Sequence, residues 1–380
     1  MKKKVAILGS TGSIGVNILN IIREFNEQFE VEAIAANRNI ELIIEQVKEF
    51  QPKFVSIGTK EGYQKLKEVC GSDTVVLYGE EGILEISRNA DYDIFANSLV
   101  GFAGLKPTIE AIKRSKRIAI ANKETFVVAG QLVNKLAKKY NAEILPVDSE
   151  HSAIFQSLVG EDIKNVAKLI LTASGGPFLN RTYEELKTVT IEQALNHPNW
   201  KMGKKITIDS STLVNKALEI IEAHYLFNIP ASKIDVLIHP QSIIHSMVEF
   251  IDGSIKAQLS VPDMKLPILY ALSYPERLKY NLKTNLPKIH TLSFFEPDTT
   301  KFRSLNLAYE VLKSGGLSGC ILNAANEVAV NKFLMGEIKY LDIVNILESA
   351  LNTVPNKKDP SLEDIFECDL KTRKFVEKTF

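Results

Sequence analysis

Short apolar runs alternate with longer amphipathic stretches in the N-terminal part of the chain. A short apolar run bounded by turn residues is typical of a buried strand, and apolar residues three and four apart predict a helix. The predicted strands are residues 5–8, 30–35, 54–57, 75–78, 93–96, 117–121 and 142–147. The predicted helices are residues 16–25, 40–50, 63–70, 81–88 and 124–140. This alternation predicts a doubly wound parallel sheet of the Rossmann type, which we assign to residues 1–148.

The pattern changes after residue 148. Strands are predicted at 166–172, 248–251 and 255–259, in a central α/β region (149–287) whose strand-rich surface we interpret as a dimerisation face. Amphipathic helices are predicted at 305–313, 322–335, 341–351 and 362–376. Together with the linker before them they predict a C-terminal helical bundle in residues 288–380.

A glycine-rich turn, Gly9-Ser10-Thr11-Gly12-Ser13-Ile14-Gly15, joins the first predicted strand to the first predicted helix. Glycines let the backbone approach a pyrophosphate closely, and the helix N-terminus offers free N–H groups to it. The spacing is G-x-x-G-x-x-G rather than the commoner G-x-G-x-x-G. A dinucleotide site and a generic glycine turn are therefore both compatible with it.

The end of the second predicted strand indicates which dinucleotide would bind. It carries Asn37, Arg38 and Asn39, where enzymes that use NAD commonly have an acidic residue for the ribose hydroxyls. An arginine at this place suits a 2′-phosphate, so we favour NADPH as the cofactor. The alternative is that Arg38 is a solvated loop residue.

Two carboxylates follow the apolar run 142–147. In an extended segment Asp148 and Glu150 would face the same way, and His151 lies next to them. Hard divalent ions such as Mg²⁺ or Mn²⁺ are held by a few carboxylates with positions left open for water or substrate. The pair alone is equally typical of a turn or a helix cap.

Polar clusters crowd the middle of the chain. Ser174 with its following glycines offers a hydroxyl and backbone N–H groups to an anion, although a simple turn would look the same. Residues 180–205 contain the only tryptophan, Trp200, beside His197, and we interpret the segment as a lid that excludes water; Trp200 in a core is the alternative.

A predicted helix after this lid begins with residues 209–211, which we expect to cap its N-terminus. Its polar stripe contains Asn215, Lys216 and Glu219 and is by default a solvated face. Ser210, Asn215 and Lys216 would also suit a phosphate, with Glu219 one turn further on as a third metal carboxylate.

The charge balance and the cysteine content of the chain argue against several classes of protein. The 46 basic and 46 acidic residues cancel, so neither nucleic acid nor an anionic membrane is expected as a partner. The three cysteines (Cys70, Cys320, Cys368) are widely spaced and odd in number, which argues against a disulfide framework and for a reducing compartment. No apolar run is long enough to span a bilayer, and we expect a cytoplasmic protein.

Taken together, the motifs resemble one enzyme family, the 1-deoxy-D-xylulose 5-phosphate reductoisomerases of the non-mevalonate isoprenoid pathway. The blocks that carry the resemblance occur in the same order as in the family: Gly9 to Gly15, Ala121-Asn122-Lys123-Glu124, Pro146 to His151, Ser174-Gly175-Gly176-Pro177-Phe178, His197-Pro198-Asn199-Trp200-x-Met202-Gly203, Asn215-Lys216-x-x-Glu219 and His239-Pro240-Gln241-Ser242. The later block Asn323 to Glu327 also matches the family. Small departures at Ala36-Asn37-Arg38 and Ser211-Thr212 bear only on cofactor preference.

The resemblance implies roles for individual residues. Asp148, Glu150 and Glu219 look like the metal ligands, Lys123 like the active-site lysine, and His151 is assigned to the catalytic group with them. The substrate-binding residues implied are Ser149, Ser174, His197, Trp200, Ser210, Asn215 and Lys216. The cofactor-binding residues implied are Ser10, Thr11, Gly12, Ser13, Ile14, Asn37, Arg38, Asn39, Asn122, Glu124 and Gly203. A homodimer is implied as well, and Asn323, Asn326 and Glu327 would either support the phosphate helix or simply pack.

The implied reaction rearranges a ketose phosphate and reduces the resulting aldehyde with NADPH, and the metal would stabilise charge on oxygens beside the ketone. Retroaldol and acyloin-type routes both fit. Two other functions are compatible with parts of the sequence: a metal-independent NADP dehydrogenase of a phosphorylated sugar, and a dinucleotide sensor without catalysis. The carboxylates argue against the first, and the lid together with the phosphate residues argues against the second.

Overall fold

The computed structural model describes residues 2–200 and 202–380. The strands are β1 (Lys3–Leu8), β2 (Phe29–Ala36), β3 (Phe54–Ile57), β4 (Val75–Tyr78), β5 (Ile94–Asn97), β6 (Arg117–Ile120), β7 (Glu143–Pro146), β8 (Val166–Ala173), β9 (Ile234–Ile238), β10 (Ile244–Phe250) and β11 (Ile255–Leu259). The helices are α1 (Ser13–Glu24), α2 (Ile40–Phe50), α3 (Lys60–Val69), α4 (Gly79–Asn89), α5 (Leu105–Lys113), α6 (Glu124–Tyr140), α7 (Ser149–Leu158), α8 (Tyr183–Leu186), α9 (Ile191–Leu195), α10 (Lys204–Ser211), α11 (Val214–Phe227), α12 (Lys265–Ser273), α13 (Ser304–Ser314), α14 (Ser318–Leu334), α15 (Asp342–Thr353) and α16 (Leu362–Thr379).

The chain forms two compact units. Unit 1 contains residues 1–125, 133–152 and 263–280, and unit 2 contains residues 126–132, 153–262 and 281–380. The division into domains 1–148, 149–287 and 288–380 stays a prediction.

Unit 1 is built on a seven-stranded sheet in the order β4-β3-β2-β1-β5-β6-β7. Every pair of neighbouring strands is parallel, which confirms the prediction of a doubly wound sheet. The central strands are fully buried over most of their length, as their unbroken apolar runs require when helices cover both faces. The order reverses beside β1, and ligands bind at this point in open α/β sheets.

Unit 2 combines a second sheet with most of the C-terminal helices. Its sheet has four strands in the order β11-β10-β8-β9, with β11 at an edge. Helix α14 is buried on nearly all sides and packs against α10, α13, α15 and α16. The predicted helical bundle is thus present, and α14 is its centre.

Two local predictions are wrong. Asp148 to Glu150 is not extended: the Ser152 N–H donates to the Asp148 carbonyl at 2.8 Å, so α7 begins at Ser149. Residues 209–211 do not cap a helix N-terminus either. They end α10, and α11 begins only after Leu213, whose backbone is left-handed with φ of 55°. In both places the helix end is set by backbone hydrogen bonds, and the presence of residue types that commonly cap helices does not predict it.

None of the helices in residues 2–200 and 202–380 combines the length and the apolar character that crossing a bilayer requires.

Candidate active site

The glycine-rich turn lies between β1 and α1, as predicted. A Cβ on Gly15 would lie 2.2 Å from the Gly9 carbonyl oxygen, so only glycine allows this close return of the backbone. Gly12 precedes α1 and has no side chain that could cap the helix, which leaves its N–H groups available. Thr11 and Ile14 are half-buried, Ser13 is exposed and Ser10 is buried. These features fit a pyrophosphate.

The end of β2 is solvent-accessible. Asn37, Arg38 and Asn39 are exposed directly after the strand. The Asn39 side chain accepts a hydrogen bond from the Leu42 N–H at 3.2 Å and so caps α2. Arg38 is therefore an exposed cation directly after the strand.

A buried amide network shapes the loop after β5. The Asn122 amide donates to the carbonyls of Leu99 and Gly101, each at 2.9 Å, and to the Glu124 carboxylate at 3.1 Å. The Asn97 amide donates to the Gly104 carbonyl at 3.0 Å. Asn122, which like Glu124 was predicted to bind the cofactor, thus holds the loop at the carboxyl end of β5 together with Asn97.

The first carboxylates gather at the start of α7 in unit 1. Oxygens of Asp148 and Glu150 lie within 4.8 Å of each other, and a ring nitrogen of His151 is equally close to Asp148. Lys123, which is 6% exposed, forms an ion pair with Asp148. The Ser149 hydroxyl donates to Glu150 at 2.5 Å. Although the segment is helical rather than extended, the predicted residues do meet here.

In unit 2, α10 and α11 meet at a sharp turn that carries the predicted phosphate residues. Ser210 lies in the last turn of α10, and Asn215 and Lys216 lie in the first turn of α11. A helix N-terminus carries partial positive charge and free N–H groups, so this turn can receive an anion. Ser210 and Asn215 are half-buried, and Lys216 is 3% exposed.

Glu219 is fully buried on α11, so the stripe that contains it is not a solvated face. Its carboxylate accepts from the Lys216 ammonium at 2.5 Å and from the Asn215 amide. A buried charge is costly unless it is paired and hydrogen-bonded, and here both conditions hold. The arrangement keeps a carboxylate and a lysine close together beside the turn between α10 and α11.

The loop after β8 packs directly on this turn. A Cβ on Gly176 would lie 2.8 Å from the Ser210 carbonyl oxygen, and the φ of Gly176 is 66°, so glycine is needed for two reasons. The Ser174 hydroxyl lies 3.1 Å from His197 Nε2. The structure therefore brings Ser174, Ser210 and His197 into one neighbourhood of unit 2.

His197 is held as a neutral ring. Its Nδ1 accepts from the N–H groups of Asn199 at 3.2 Å and Trp200 at 3.0 Å. A nitrogen that accepts from backbone N–H groups carries no proton, so Nε2 bears the hydrogen and donates to Ser174. Burial lowers the pKa of His197, in agreement with the neutral form.

The predicted lid rests against the loop after β9. The Asn199 amide donates to the Pro240 carbonyl at 2.6 Å and to the Ser242 hydroxyl at 3.2 Å. The Trp200 ring lies 6.4 Å from the His245 ring in an edge-on arrangement, and Trp200 is half-buried rather than in a core. Gly203, predicted to bind the cofactor, is exposed just before α10. The neighbouring Met202 is half-buried.

Three side chains from the C-terminal part of the chain donate hydrogen bonds to the turn between α10 and α11, and sequence reasoning missed two of them. The Tyr340 hydroxyl donates to the Ser211 carbonyl and the Ser304 hydroxyl to the Thr212 carbonyl, each at 2.6 Å. The Asn326 amide donates to the Asp209 carboxylate at 2.8 Å. Of these donors only Asn326 was suspected, because lone hydroxyls far along the chain have no motif that marks them.

Comparison with known proteins gives one consistent result. Three family models match: 1-deoxy-D-xylulose 5-phosphate reductoisomerase (residues 5–130), its C-terminal domain (144–227) and the DXP reductoisomerase C-terminal domain (259–375). The chain is 52% identical to a 1-deoxy-D-xylulose 5-phosphate reductoisomerase of Clostridium perfringens, over 98% of both chains.

Solved structures agree. A DOX-P reductoisomerase in complex with NADPH, fosmidomycin and magnesium is 40% identical with a TM-score of 0.94, over 99% of this chain and 98% of that one. The Zymomonas mobilis reductoisomerase in complex with NADPH is 40% identical with a TM-score of 0.93, over 100% and 99% of the two chains.

Proposed function

Because this chain belongs to the 1-deoxy-D-xylulose 5-phosphate reductoisomerase family, we propose a role in that reaction for each group described above. The enzyme is an oxidoreductase that uses NADPH and a divalent metal. It converts 1-deoxy-D-xylulose 5-phosphate to 2-C-methyl-D-erythritol 4-phosphate in isoprenoid precursor biosynthesis. Residues 1–148 bind the cofactor, residues 149–287 bind the substrate and residues 288–380 support them.

Asp148, Glu150 and Glu219 are the residues that would hold Mg²⁺ or Mn²⁺. The proximity of the Asp148 and Glu150 oxygens supports this, since oxygen donors suit hard divalent ions. When bound, the ion supplies Lewis-acid stabilisation of negative charge on the substrate oxygens. Lys123 forms an ion pair with Asp148, and Ser149, whose hydroxyl donates to Glu150, would contact a substrate hydroxyl.

The phosphate group is bound by Ser174, Ser210, Asn215 and Lys216. A half-buried turn at the N-terminus of α11 with an almost fully buried lysine supports this assignment. The phosphate does not react, so its binding energy holds the reacting carbons in place and closes the lid. His197 and Trp200 belong to that lid and exclude water from the reacting end of the substrate.

NADPH is bound at the turn between β1 and α1, by residues 10–14 and by Arg38. The uncapped N–H groups of α1 support a pyrophosphate there, and the exposed guanidinium supports a 2′-phosphate. Asn37, Asn39, Asn122, Glu124 and Gly203 complete the cofactor contacts, with Asn122 also ordering its loop.

A homodimer is the proposed assembly. Edge strand β11 is mostly exposed, including Ile255 at 53% and Leu259 at 38%, and one of its edges pairs with β10. An exposed apolar edge strand is an aggregation risk unless something covers it. A second copy of the chain would extend the sheet with two-fold symmetry.

The cytoplasm is the proposed compartment. Cys70, Cys320 and Cys368 are free thiols, and unpaired cysteines persist where the environment is reducing.

The activity assay that tests the site follows NADPH absorbance with 1-deoxy-D-xylulose 5-phosphate, with Mg²⁺ or with a chelator, for the native enzyme and for Glu219→Gln. We expect consumption that requires both the metal and Glu219, with a loss of about a hundredfold or more in the variant because a ligand charge is removed. NADPH consumption that continues unchanged in the presence of the chelator would disprove the metal assignment. It would favour hydride transfer without a metal.

A further inference from the structure

Two backbone carbonyls at the turn between α10 and α11 accept hydrogen bonds from side chains of the C-terminal part of the chain. Ser211 is the last residue of α10 and Thr212 follows it as the C-cap, where carbonyls lack partners within the helix. The Tyr340 hydroxyl donates to the Ser211 carbonyl at 2.6 Å, and the Ser304 hydroxyl donates to the Thr212 carbonyl at 2.6 Å. Ser304 begins α13, and Tyr340 lies in the turn between α14 and α15, so both donors come from the C-terminal part of unit 2.

Tyr340 also contacts the other wall of the phosphate site. Its ring lies edge-on to Phe178, with ring centroids 5.1 Å apart, and Phe178 follows the Ser174 loop. The ring packs on Phe333 of α14 from another side, at 5.9 Å. Burial raises the pKa of Tyr340, so its hydroxyl stays a neutral donor at any working pH. The Tyr340 side chain thus contacts both the loop after β8 and the turn between α10 and α11.

A third contact joins α10 to α14. The Asn326 amide donates to Asp209 Oδ1 at 2.8 Å, and the Lys205 ammonium lies 2.8 Å from Asp209 Oδ2. Asn326 is fully buried and Asp209 is 1% exposed. Asp209 directly precedes Ser210, so this contact sets the position of a proposed phosphate ligand.

We propose that Ser304, Asn326 and Tyr340 are positioning residues that hold the turn between α10 and α11 in the shape that binds the substrate phosphate. The proposal rests on the phosphate-binding role given above to Ser210, Asn215 and Lys216.

The physical reason lies in the strained geometry of the turn. Leu213 has a left-handed backbone that a branched side chain rarely adopts, so surrounding contacts must hold it there. A carbonyl oxygen carries partial negative charge and would repel a phosphate if it rotated toward the anion. Hydrogen bonds from Tyr340 and Ser304 keep the last two carbonyls of this helix end directed toward the C-terminal helices.

A matched pair of tyrosines separates positioning from plain stability. Tyr340→Phe removes only the hydroxyl that reaches the phosphate turn. Tyr309→Phe removes a hydroxyl of the same helical region that donates at 2.9 Å to the carbonyl of Ile234, at the start of β9. Each variant loses one hydrogen bond from a tyrosine to a backbone carbonyl, so a general effect on folding would appear in both.

The measurements use the full-length enzyme with NADPH and Mg²⁺. They are KM and kcat for 1-deoxy-D-xylulose 5-phosphate, the inhibition constant of inorganic phosphate, and the affinity for NADPH. For Tyr340→Phe we expect KM and the phosphate inhibition constant to rise about fivefold to tenfold, as one lost hydrogen bond predicts, while NADPH affinity stays unchanged. Tyr309→Phe should leave KM and the phosphate inhibition constant within about twofold of the native values. Ser304→Ala tests the second carbonyl in the same way.

Lys216→Met serves as the reference for the phosphate site itself. If it weakens phosphate binding while Tyr340→Phe and Ser304→Ala behave like Tyr309→Phe, the positioning inference is wrong and the site assignment stands. If Lys216→Met leaves the phosphate inhibition constant unchanged, the site assignment fails and the inference fails with it.

Discussion

At the scale of single residues, the site is made of charges that are buried together. Lys216 and Glu219 are 3% and 0% exposed, and they form a buried ion pair in unit 2. Removing one member of such a pair leaves the other charge buried without compensation. Substitutions here are therefore expected to affect both binding and stability, and an assay must separate the two.

For Lys216→Met we expect kcat/KM to fall by a factor that corresponds to about 2–3 kcal/mol of lost transition-state stabilisation, because a charge-assisted contact to the phosphate disappears. Steady-state kinetics, with the melting temperature measured alongside, check this. Lys168→Met is the matched control, since Lys168 forms an exposed ion pair with Asp235 on the sheet of unit 2. Equal kinetics for the two variants would contradict the phosphate role.

Gly176→Ala is expected to raise KM about tenfold or more. The new Cβ would lie 2.8 Å from the Ser210 carbonyl, and alanine at a φ of 66° costs about 1–2 kcal/mol in addition. Gly336→Ala is the control, because Gly336 has a φ of 77° but a Cβ there would meet no atom of the described residues within 4 Å. If both variants lose stability but only Gly176→Ala loses substrate affinity, the clash with the phosphate turn is the cause.

At the scale of elements, the segment proposed to be the lid is held by hydrogen bonds to one neutral histidine. His197 Nδ1 accepts the N–H groups of Asn199 and Trp200, and Nε2 contacts Ser174, so the ring links the lid to the loop after β8. Protonation of Nδ1 would break both backbone contacts. Because burial lowers the pKa of His197, the unfolded chain takes up this proton at a higher pH than the folded lid does.

The stability that neutral His197 gives to the lid is therefore fully present above the pKa of an unfolded histidine, about 6.5. It is lost as the pH falls through the lower pKa of His197 in the folded protein. Trp200 is the only tryptophan, so its fluorescence reports on the lid directly. We expect a transition below about pH 6.5 that disappears in His197→Gln. A transition that persists in this variant would have to come from another group and would contradict the role of His197.

At the scale of the whole molecule, the exposed edge strand is the feature that a single chain does not explain. Strand β11 exposes residues on both of its faces, whereas a strand at the rim of a monomeric sheet normally buries one of them. Ile255 adds apolar surface to this edge. Both observations support the proposed homodimer, in which a second copy would cover the strand.

Ile255→Lys is expected to convert a dimer into monomers, since it places like charges on both sides of a two-fold interface. Sedimentation velocity of the native enzyme and the variant measures this. Met335→Lys is the control, because Met335 is 65% exposed at the end of α14, far along the chain from β11. A native enzyme that sediments as a monomer would exclude the proposed dimer.

The sequence by itself determined the parallel sheet of unit 1, because hydrophobic periodicity and turn residues are local signals. It also determined the family, since the motif blocks lie in a fixed order. Asp148 and Glu150 were predicted to converge in an extended segment, and they are close together, but at the start of a helix. The resemblance assigned Lys123 to the same site, and its ion pair with Asp148 is visible only in the structure.

The tertiary structure alone decided which polar residues are buried and which helix ends face each other. The stripe with Lys216 and Glu219 has the pattern of a solvated helix face, and only packing in unit 2 shows that it is buried. Tyr340 and Ser304 lie about 90 to 130 residues beyond the carbonyls that they hold. A hydrogen bond between residues so far apart depends on the folded arrangement of whole helices, and no local pattern encodes it.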